Sequence, residues 1–315
     1  MRLPADITSQ NFYQNFRQKP DNWLGVALDI CLDHGLSVGV IEPVTDGSNL
    51  VASVDDRHIV KIFPPFHRHQ WESEYRTLQH LAGKTNIPIP DLIARGERDG
   101  WTYVIISKLS GIMLEKVWEG CTIQEKTDML HQTGQIMAEV HRLPVGGLAD
   151  LEPRWQDFIR RQCEEYPARH RRYGMPDWLL RDLDPYVSSA LPLLPPDPEA
   201  VILTGEYTPF NLLADQTENG SWRISGMIDF GDAMTGFREY DLLGPCTFLC
   251  AGNPDLLRAL LRGYGYKQND PALGRRLMLL LILHRYSNLN AQVRIPDWQE
   301  QVTSLEALER LVFPV

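Results

Sequence analysis

The chain has few cysteines, and their placement argues against two classes of protein. Five occur in 315 residues, and none lies at the C-x-x-C or Cys/His spacing of a zinc site: Cys31, Cys121, Cys163, Cys246 and Cys250. An odd number of scattered cysteines also gives no framework of disulfides. A disulfide-stapled secreted domain and a zinc-binding module are therefore both disfavoured.

Basic residues are also fewer than acidic residues. The sequence has 31 Lys and Arg against 41 Asp and Glu, a net charge of −10 at pH 7. Nucleic acids and anionic membranes require a basic face on their partners, so we expect neither as the main partner. Residues 1–110 hold 11 basic and 13 acidic residues, and the remainder holds 20 and 28. The acidic second part is compatible with a cationic substrate, and equally with a solvated surface that aids solubility.

Long apolar runs are absent. The longest, Leu277–Leu283, is far shorter than the ~20 residues of a membrane-spanning helix. The opening MRLPADITSQNFYQNF lacks the apolar core of a signal peptide, so we expect a cytoplasmic protein. With 43% hydrophobic and 23% charged residues, the composition is typical of a globular protein with a substantial core.

Three oxygen-bearing side chains, Glu206, Asn211 and Asp229, stand in the one stretch that indicates chemistry. Short strands are predicted around them, at 201–203, 211–214 and 222–228, with a turn cluster between the last two. Phosphoryl transfer requires a carboxylate that orients and deprotonates the acceptor hydroxyl, and hard oxygen ligands for magnesium on the nucleotide phosphates. Each residue alone could be a turn or cap residue, but their joint spacing indicates phosphoryl transfer.

This stretch resembles the aminoglycoside phosphotransferase and choline kinase family, whose fold is similar to that of protein kinases. The family pattern H-G-D-x-x-x-x-N, followed by an apolar strand and I-D-[FW], stands here as Thr204-Gly-Glu206-Tyr-Thr-Pro-Phe-Asn211 and Ile228-Asp229-Phe230. The resemblance implies Glu206 as the catalytic base and Asn211 and Asp229 as Mg²⁺ ligands. Thr replaces His, and Glu replaces Asp. The extra methylene moves the carboxylate by roughly an ångström, a shift that can lower a rate about a hundredfold.

An antiparallel sheet is predicted in the first part of the chain. Its strands are expected at Leu36–Val44, Leu50–Val54 and His58–Phe63, after two helical segments between 11 and 34. The turn Thr45–Asn49 lies where a kinase folds a loop over the nucleotide phosphates, which makes Ser48 a candidate contact. The same residues are also an ordinary hairpin turn.

A strand lysine and a helix glutamate strengthen the nucleotide hypothesis. In the kinase arrangement a strand Lys bridges the phosphates and a helix Glu, and Lys61 and Glu74 match in order and spacing. Glu72 is the competitor for the helix position. Glu74 is preferred because it shares a helix face with Leu78 and Leu81, the face expected to turn toward the sheet.

The predicted strand Trp101–Ser107 leads to the hinge that the resemblance implies. Backbone groups near Ser107 and Leu109 would hold the adenine edge of the nucleotide. We therefore place the boundary at residue 107, with a nucleotide-binding lobe at 1–107 and a catalytic and substrate-binding lobe at 108–315. The second lobe is mostly helical, and the capping box Thr122–Glu125 opens its first long helix.

Together these patterns predict an α+β, protein-kinase-like, two-lobed fold. The expected activity is transfer of the γ-phosphate of ATP or GTP, with Mg²⁺, to a hydroxyl of a small molecule. An aminoglycoside-type antibiotic is the leading acceptor, and an endogenous sugar, choline-like or homoserine-like metabolite is the alternative. Thr204 and Glu206 also leave open a nucleotide-binding pseudokinase. A protein kinase is less expected, because the chain has no H-R-D loop and no D-F-G segment ending in A-P-E.

Overall fold

The computed structural model describes residues 2–5, 7, 10–45, 47–205, 207–266 and 270–315. These residues divide into two compact units. The first runs to Ser110 and also includes Gly226–Ala233, and the second comprises Gly111–Ser225 and Met234–Val315. The boundary at residue 107 between a nucleotide-binding lobe and a catalytic lobe stays a prediction. It did not anticipate that residues 226–233 belong to the first unit.

The first unit contains a five-stranded antiparallel sheet in the order β1-β2-β3-β5-β4. Its strands are β1 Ile41–Val44, β2 Leu50–Val54, β3 His58–Phe63, β4 Leu92–Arg98 and β5 Trp101–Ser107. Its helices are α1 Gln10–Arg17, α2 Leu24–Asp33 and α3 Arg68–Leu81. The antiparallel sheet and the predicted bounds of β2, β3 and β5 are confirmed.

Residues of α1, α2 and the sheet form the core of this unit. Tyr13 and Ile30 from the helices and Trp23, just before α2, pack with Val60 and Trp101 from the strands. β3 is the central strand of the sheet, and Lys61 on it is paired with Val51 on one side and Val104 on the other. Apolar neighbours on both sides therefore fix the register of Lys61.

The first strand is shorter than predicted. The expected strand Leu36–Val44 begins only at Ile41. The Asp55 carboxylate accepts the backbone N–H groups of Gly39 at 3.0 Å and Val40 at 2.6 Å, so these groups are not donated to a neighbouring strand. These bonds lower the pKa of Asp55, because they favour its ionised form.

The second unit is mostly helical. Its longer helices are α5 Ile123–Arg142, α6 Trp155–Arg172, α7 Asp177–Ala190, α9 Pro254–Tyr264, α10 Leu273–Leu283 and α13 Leu305–Val312. Short helices are α4 Leu114–Trp118, α8 Leu243–Pro245, α11 Leu289–Gln292 and α12 Trp298–Gln301. The predicted capping box is confirmed: Thr122 Oγ1 accepts from the Glu125 N–H, and the Glu125 carboxylate accepts from the Thr122 N–H at 2.8 Å.

Glycines allow α5 and α9 to pack closely. A Cβ on Gly134 of α5 would lie 2.3 Å from the Leu260 carbonyl oxygen, and one on Gly263 of α9 would lie 2.0 Å from the His131 carbonyl oxygen. Real Cβ atoms do not approach backbone so closely. The backbones of the two helices therefore approach each other at positions that only glycine permits.

The strands of the second unit form two small sheets. β7 Val201–Leu203 pairs with β10 Met234–Gly236, while β6 Ile112–Met113, β8 Leu212–Gln216 and β9 Trp222–Met227 form the order β6-β8-β9. β8 thus begins one residue and ends two residues later than predicted, whereas β9 begins where predicted and ends one residue earlier. β7 pairs with the chain that follows β9.

The last turn of α10 ends at Leu283. There the Tyr286 N–H is donated to His284 Nδ1 at 3.2 Å, and the chain turns away from the helix axis. In the part of the chain that the structure describes, no helix combines the length and apolar character needed to cross a bilayer.

Candidate active site

In the first unit, Lys61 lies between the buried carboxylate of Glu74 and the half-exposed carboxylate of Asp229. Lys61 Nζ donates to Glu74 Oε1 at 2.9 Å and to Asp229 Oδ1 at 3.2 Å. The other Glu74 oxygen accepts the Phe230 N–H at 3.1 Å. Three residues predicted from sequence are thus brought together, although Asp229 is 168 positions from Lys61. Glu72 instead pairs with Arg76 at 3.0 Å on α3.

Burial and charge compete in this cluster. Glu74 has a side chain that is 0% exposed, and desolvation raises its pKa from 4.5 to about 7 even though Lys61 opposes the shift. Burial also disfavours the Lys61 ammonium, but the carboxylates of Asp229 and Glu74 outweigh it and raise the lysine pKa. For Asp229, burial alone would raise the carboxyl pKa, but the charge and hydrogen bond of Lys61 act together with the Gly231 N–H bond and contribute to a net lowering. Lys61 and Asp229 are therefore charged near neutral pH.

Asp229 has the geometry of a residue that presents oxygen to a ligand. Its φ is +66°, in the left-handed region, and the Gly231 N–H donates back to Oδ1 at 3.3 Å. Its side chain is 53% exposed. Mg²⁺ in nucleotide sites is held by one or two carboxylates together with phosphates and waters, so a half-exposed carboxylate fits such an ion. The described residues contain no group of three or more acidic, His or Cys side chains that could hold a metal ion by themselves.

The turn that carries Ser48 is held from the N-terminal helix. The Tyr13 hydroxyl donates to the Ser48 carbonyl at 2.7 Å, and Arg17 Nη1 donates to the Thr45 carbonyl at 2.8 Å. Ser48 itself is exposed, as a residue that contacts a ligand would be. Asp46 lies outside the described residues. Sequence analysis missed Tyr13 and Arg17, because α1 shows only an amphipathic pattern.

A series of side-chain hydrogen bonds connects the same turn to α3 and to Asp232. Asn49 Nδ2 donates to Gln70 Oε1 at 3.3 Å, and Gln70 Nε2 donates to Asp232 Oδ1 at 3.4 Å. His67 Nδ1 lies 2.8 Å from Asn49 Oδ1. The helix that carries Glu74 is thus connected by hydrogen bonds to the turn and to the segment just after Asp229.

The two residues predicted to contact the adenine, Ser107 and Leu109, differ in whether the backbone N–H is already hydrogen-bonded. The Ser107 N–H is donated to the Asp91 carbonyl at 2.9 Å, and the Lys108 N–H to the Arg57 carbonyl at 2.7 Å. Within the described chain, no hydrogen bond from the Leu109 backbone is present. Of the two predicted adenine contacts, Leu109 is the one with an N–H available.

In the second unit, Asp241 braces the loop that precedes the predicted base. Its two oxygens accept the N–H groups of Thr204 and Gly205, each at 3.1 Å. Glu206 lies outside the described residues, so its role stays a prediction. Asn211 is buried at the start of β8, and its backbone N–H bonds the Thr208 carbonyl at 3.1 Å. Its proposed metal role likewise stays a prediction.

His141 supports that brace. Its Nε2 lies 3.1 Å from Asp241 Oδ2, and its Nδ1 lies 2.9 Å from the Tyr264 hydroxyl. His141 on α5 thus contacts Asp241, and Asp241 in turn holds the backbone of Thr204 and Gly205. No local pattern in the sequence signals this link.

A cavity of about 160 Å³ opens beside this loop within the second unit. Residues from three separated stretches line it: 205–210, 240–248 and 281–292. A cleft of this kind next to candidate catalytic residues is the default place for a substrate. Sequence analysis named no residue of this pocket, because its members are separated by tens of residues and follow no local pattern.

A family model described as the phosphotransferase enzyme family, APH, matches residues 40–279 of this chain. The match spans the sheet of the first unit, the segment with Asp229 and most of the second unit.

Solved structures with the same fold are similar over most of the chain. The GDP complex of wild-type aminoglycoside 2′-phosphotransferase-IIIa matches with a TM-score of 0.70 and 21% identity, over 92% of this chain and 97% of that one. The streptomycin and ATP complex of APH(2″)-IIa gives 0.61 and 16%, over 87% and 95%. APH(3″)-Id from Streptomyces rimosus gives 0.60 and 17%, over 83% and 98%. The expected kinase-like α+β fold is confirmed.

Proposed function

The chain belongs to the phosphotransferase enzyme family, and from this premise we propose that it transfers the γ-phosphoryl group of ATP or GTP to a hydroxyl of a small molecule. The observation that carries the proposal is the Lys61–Glu74–Asp229 cluster, with Nζ–O distances of 2.9 and 3.2 Å. A permanently charged ammonium fixed between two carboxylates on different elements is suited to binding phosphate oxygens beside a metal.

In the proposed reaction the acceptor oxygen attacks the γ-phosphorus. A new O–P bond forms, the bond to the bridging β–γ oxygen breaks, and the nucleoside diphosphate leaves. Glu206 takes the hydroxyl proton, Lys61 binds the phosphates, and Glu74 holds Lys61 in place. The turn with Ser48 covers the phosphates, and the backbone near Ser107 and Leu109 binds the base.

Asp229 and Asn211 are the residues proposed to hold Mg²⁺. When bound, the ion neutralises charge on the phosphate oxygens. The half-exposed carboxylate of Asp229 supports its part in this assignment. Lys61 keeps the same carboxylate ionised, so that it can serve as a hard oxygen ligand at neutral pH.

Two acceptor classes compete. Aminoglycoside-type antibiotics come first from the resemblance, and solved structures of similar proteins contain kanamycin, streptomycin and gentamicin. The alternative is an endogenous metabolite that lacks several ammonium groups. The wall of the cavity in the second unit favours the alternative.

Nucleotide binding is tested by thermal melting. Mg-ATP or Mg-GTP should raise the melting temperature of the wild type, because only the folded state binds the complex. Asp229→Ala should remove most of that rise. Glu218→Ala, which removes an exposed acid on the turn between β8 and β9, is the matched control and should behave as wild type. If Asp229→Ala were stabilised as much as wild type, the metal assignment would be wrong.

Turnover is tested with a panel of antibiotics and metabolites. Glu206→Gln should lose at least about two orders of magnitude in turnover, with nucleotide binding nearly unchanged. Glu206→Asp restores the family residue: a fall in activity would mean that the loop is adapted to the longer side chain, and a gain that Glu is a tolerated handicap. Full activity in Glu206→Gln would remove this residue from the mechanism. Nucleotide binding with no turnover on any acceptor would favour the pseudokinase alternative.

A further inference from the structure

The cavity beside the catalytic loop has a mainly aromatic and aliphatic wall. Phe210 and Phe248 form an edge-to-face pair with ring centroids 5.6 Å apart, and Tyr240 stacks on His284 at 5.0 Å with 18° between the ring planes. Leu281 is buried among these lining residues. A volume of about 160 Å³ is close to that of an apolar protein cavity that holds one benzene ring.

The acids nearest this wall in sequence are already committed to internal partners. Glu239 and Asp241 flank Tyr240, and both are buried. Glu239 accepts two bonds from Arg276, at 2.8 and 2.7 Å, and Asp241 accepts the loop N–H groups. No described lining residue carries a carboxylate. A ligand with several ammonium groups would thus be desolvated here without partners.

Positive charge surrounds the same wall. Arg294 lies over the Phe248 ring, with its guanidinium carbon 5.4 Å from the ring centroid. Burial, together with the charges of Arg285 and Arg169, lowers the pKa of His284 to about 3. One face of the Phe248 ring is therefore occupied by a cation, and Tyr240 and His284 cover each other by stacking. Even a single quaternary ammonium, which aromatic cages otherwise bind, meets repulsion here.

Two polar groups remain available to a ligand. Thr208 is buried in the wall, and its Oγ1 has no hydrogen-bond partner among the described residues. His284 Nδ1 accepts the Tyr286 N–H at 3.2 Å, so the neutral ring carries its proton on Nε2. Buried polar atoms without partners are rare in native proteins, and a ligand with oxygen atoms would satisfy them.

From these contacts we propose that the acceptor is an uncharged alcohol that carries one aromatic ring, which enters this cavity, and that the alcohol hydrogen-bonds Thr208 and His284. This rests on the proposed phosphotransfer and narrows its acceptor class. Polyamine sugars and choline-like cations are excluded from the cavity by the wall chemistry. The acceptor hydroxyl would then lie beside the loop that carries residue 206.

Binding is tested on the full chain without nucleotide by saturation-transfer NMR. The probes are phenyl β-D-glucopyranoside, methyl β-D-glucopyranoside as the control without an aromatic ring, choline and kanamycin. We expect saturation of the phenyl protons, weak or no signal for the methyl glycoside, and no displacement by choline or kanamycin. Displacement by either cation, or absence of phenyl saturation, would overturn the proposal.

Thr208→Val tests the polar contact with nearly unchanged shape. It should weaken phenyl glucoside binding roughly five- to tenfold, the scale of one lost hydrogen bond. The melting temperature should not fall, because the hydroxyl has no protein partner to lose. Thr217→Val, on the exposed turn after β8, is the matched control. Equal affinity in Thr208→Val and wild type would refute the contact.

Turnover in the same samples separates this inference from the proposed function. If nucleotide binds and kanamycin is phosphorylated while aryl glycosides are not, phosphotransfer stands and the acceptor inference fails. If phenyl glucoside binds but no nucleotide raises the melting temperature, phosphotransfer fails instead. Phosphorylation of an uncharged ring alcohol, with an acceptor KM that rises in Thr208→Val while the nucleotide KM does not, supports both.

Discussion

Glu74 should make the protein less stable as the pH rises through neutrality. Its carboxyl pKa is raised from 4.5 to about 7 by burial, so the folded protein holds this proton more tightly than the unfolded chain. The favourable contribution is complete below pH 4.5 and is lost as the pH rises through about 7. A shift of roughly 2.5 units at about 1.4 kcal/mol each gives about 3 kcal/mol as the upper bound.

Glu74→Gln removes the titration and keeps the shape of the side chain. Gln keeps an oxygen that can accept from Lys61, and the variant has no titrating group at this position. The expected result is a pH-dependent difference in unfolding free energy between the two proteins. From pH 5 to pH 8 the wild type should lose up to about 3 kcal/mol relative to Glu74→Gln. Urea denaturation at four pH values measures it.

The opposite slope would refute this reasoning. If the wild type gained stability relative to Glu74→Gln as the pH rose, the bonds from Lys61 and the Phe230 N–H would outweigh the burial of the carboxylate. Parallel profiles would mean that the Glu74 pKa is the same in the folded and unfolded states. Adding Mg-nucleotide to the same samples should flatten the wild-type profile if phosphates draw Lys61 away from Asp229.

Three further outcomes are expected. Gly134→Ala should lose at least about 2 kcal/mol of unfolding free energy in urea, because its Cβ would meet a carbonyl oxygen of α9 at 2.3 Å, whereas Gly147→Ala, with nothing within 4 Å, should be near neutral. In Asp241→Asn, a side-chain amide N–H would face a backbone N–H, so turnover should fall at least about tenfold while the Mg-nucleotide melting shift stays unchanged. An equal loss of that shift would contradict a role confined to the loop. Tyr13→Phe removes the bond to the Ser48 carbonyl and should raise the nucleotide KM by a few fold without changing the acceptor KM, measured by steady-state kinetics.

Features that depend on local pattern could be predicted from the sequence. β3 and α3 follow from apolar alternation and helical spacing, and placing Lys61 on one and Glu74 on the other needs only their order in a known arrangement. The 2.9 Å contact between them agrees with that expectation. The capping box of α5 is equally local, because both of its partners lie within four residues.

Features that depend on contacts between distant segments could not be predicted from the sequence. The first strand begins late because the Asp55 carboxylate takes two N–H groups from 15 and 16 residues away, and nothing in the sequence near Gly39 signals this. His141 reaches Asp241 across 100 residues. β4 was missed for another reason: its sequence, with two Arg and one Glu among seven residues, has weak strand propensity, and pairing with β5 holds it in place.

The same distinction explains why the sequence predicts the phosphate machinery better than the acceptor. In the proposed function, phosphates are bound by a few residues in short motifs, such as Lys61 and Asp229, and a resemblance transfers such residues position by position. The proposed acceptor would meet a wall assembled from residues 205–210, 240–248 and 281–292, and each of its side chains alone is an ordinary core residue. The chemistry of that wall arises from packing: Arg294 over Phe248, Tyr240 stacked on His284, and Glu239 turned toward Arg276. A family match fixes the reaction more firmly than the substrate for this physical reason, and the substrate must be argued from the wall itself.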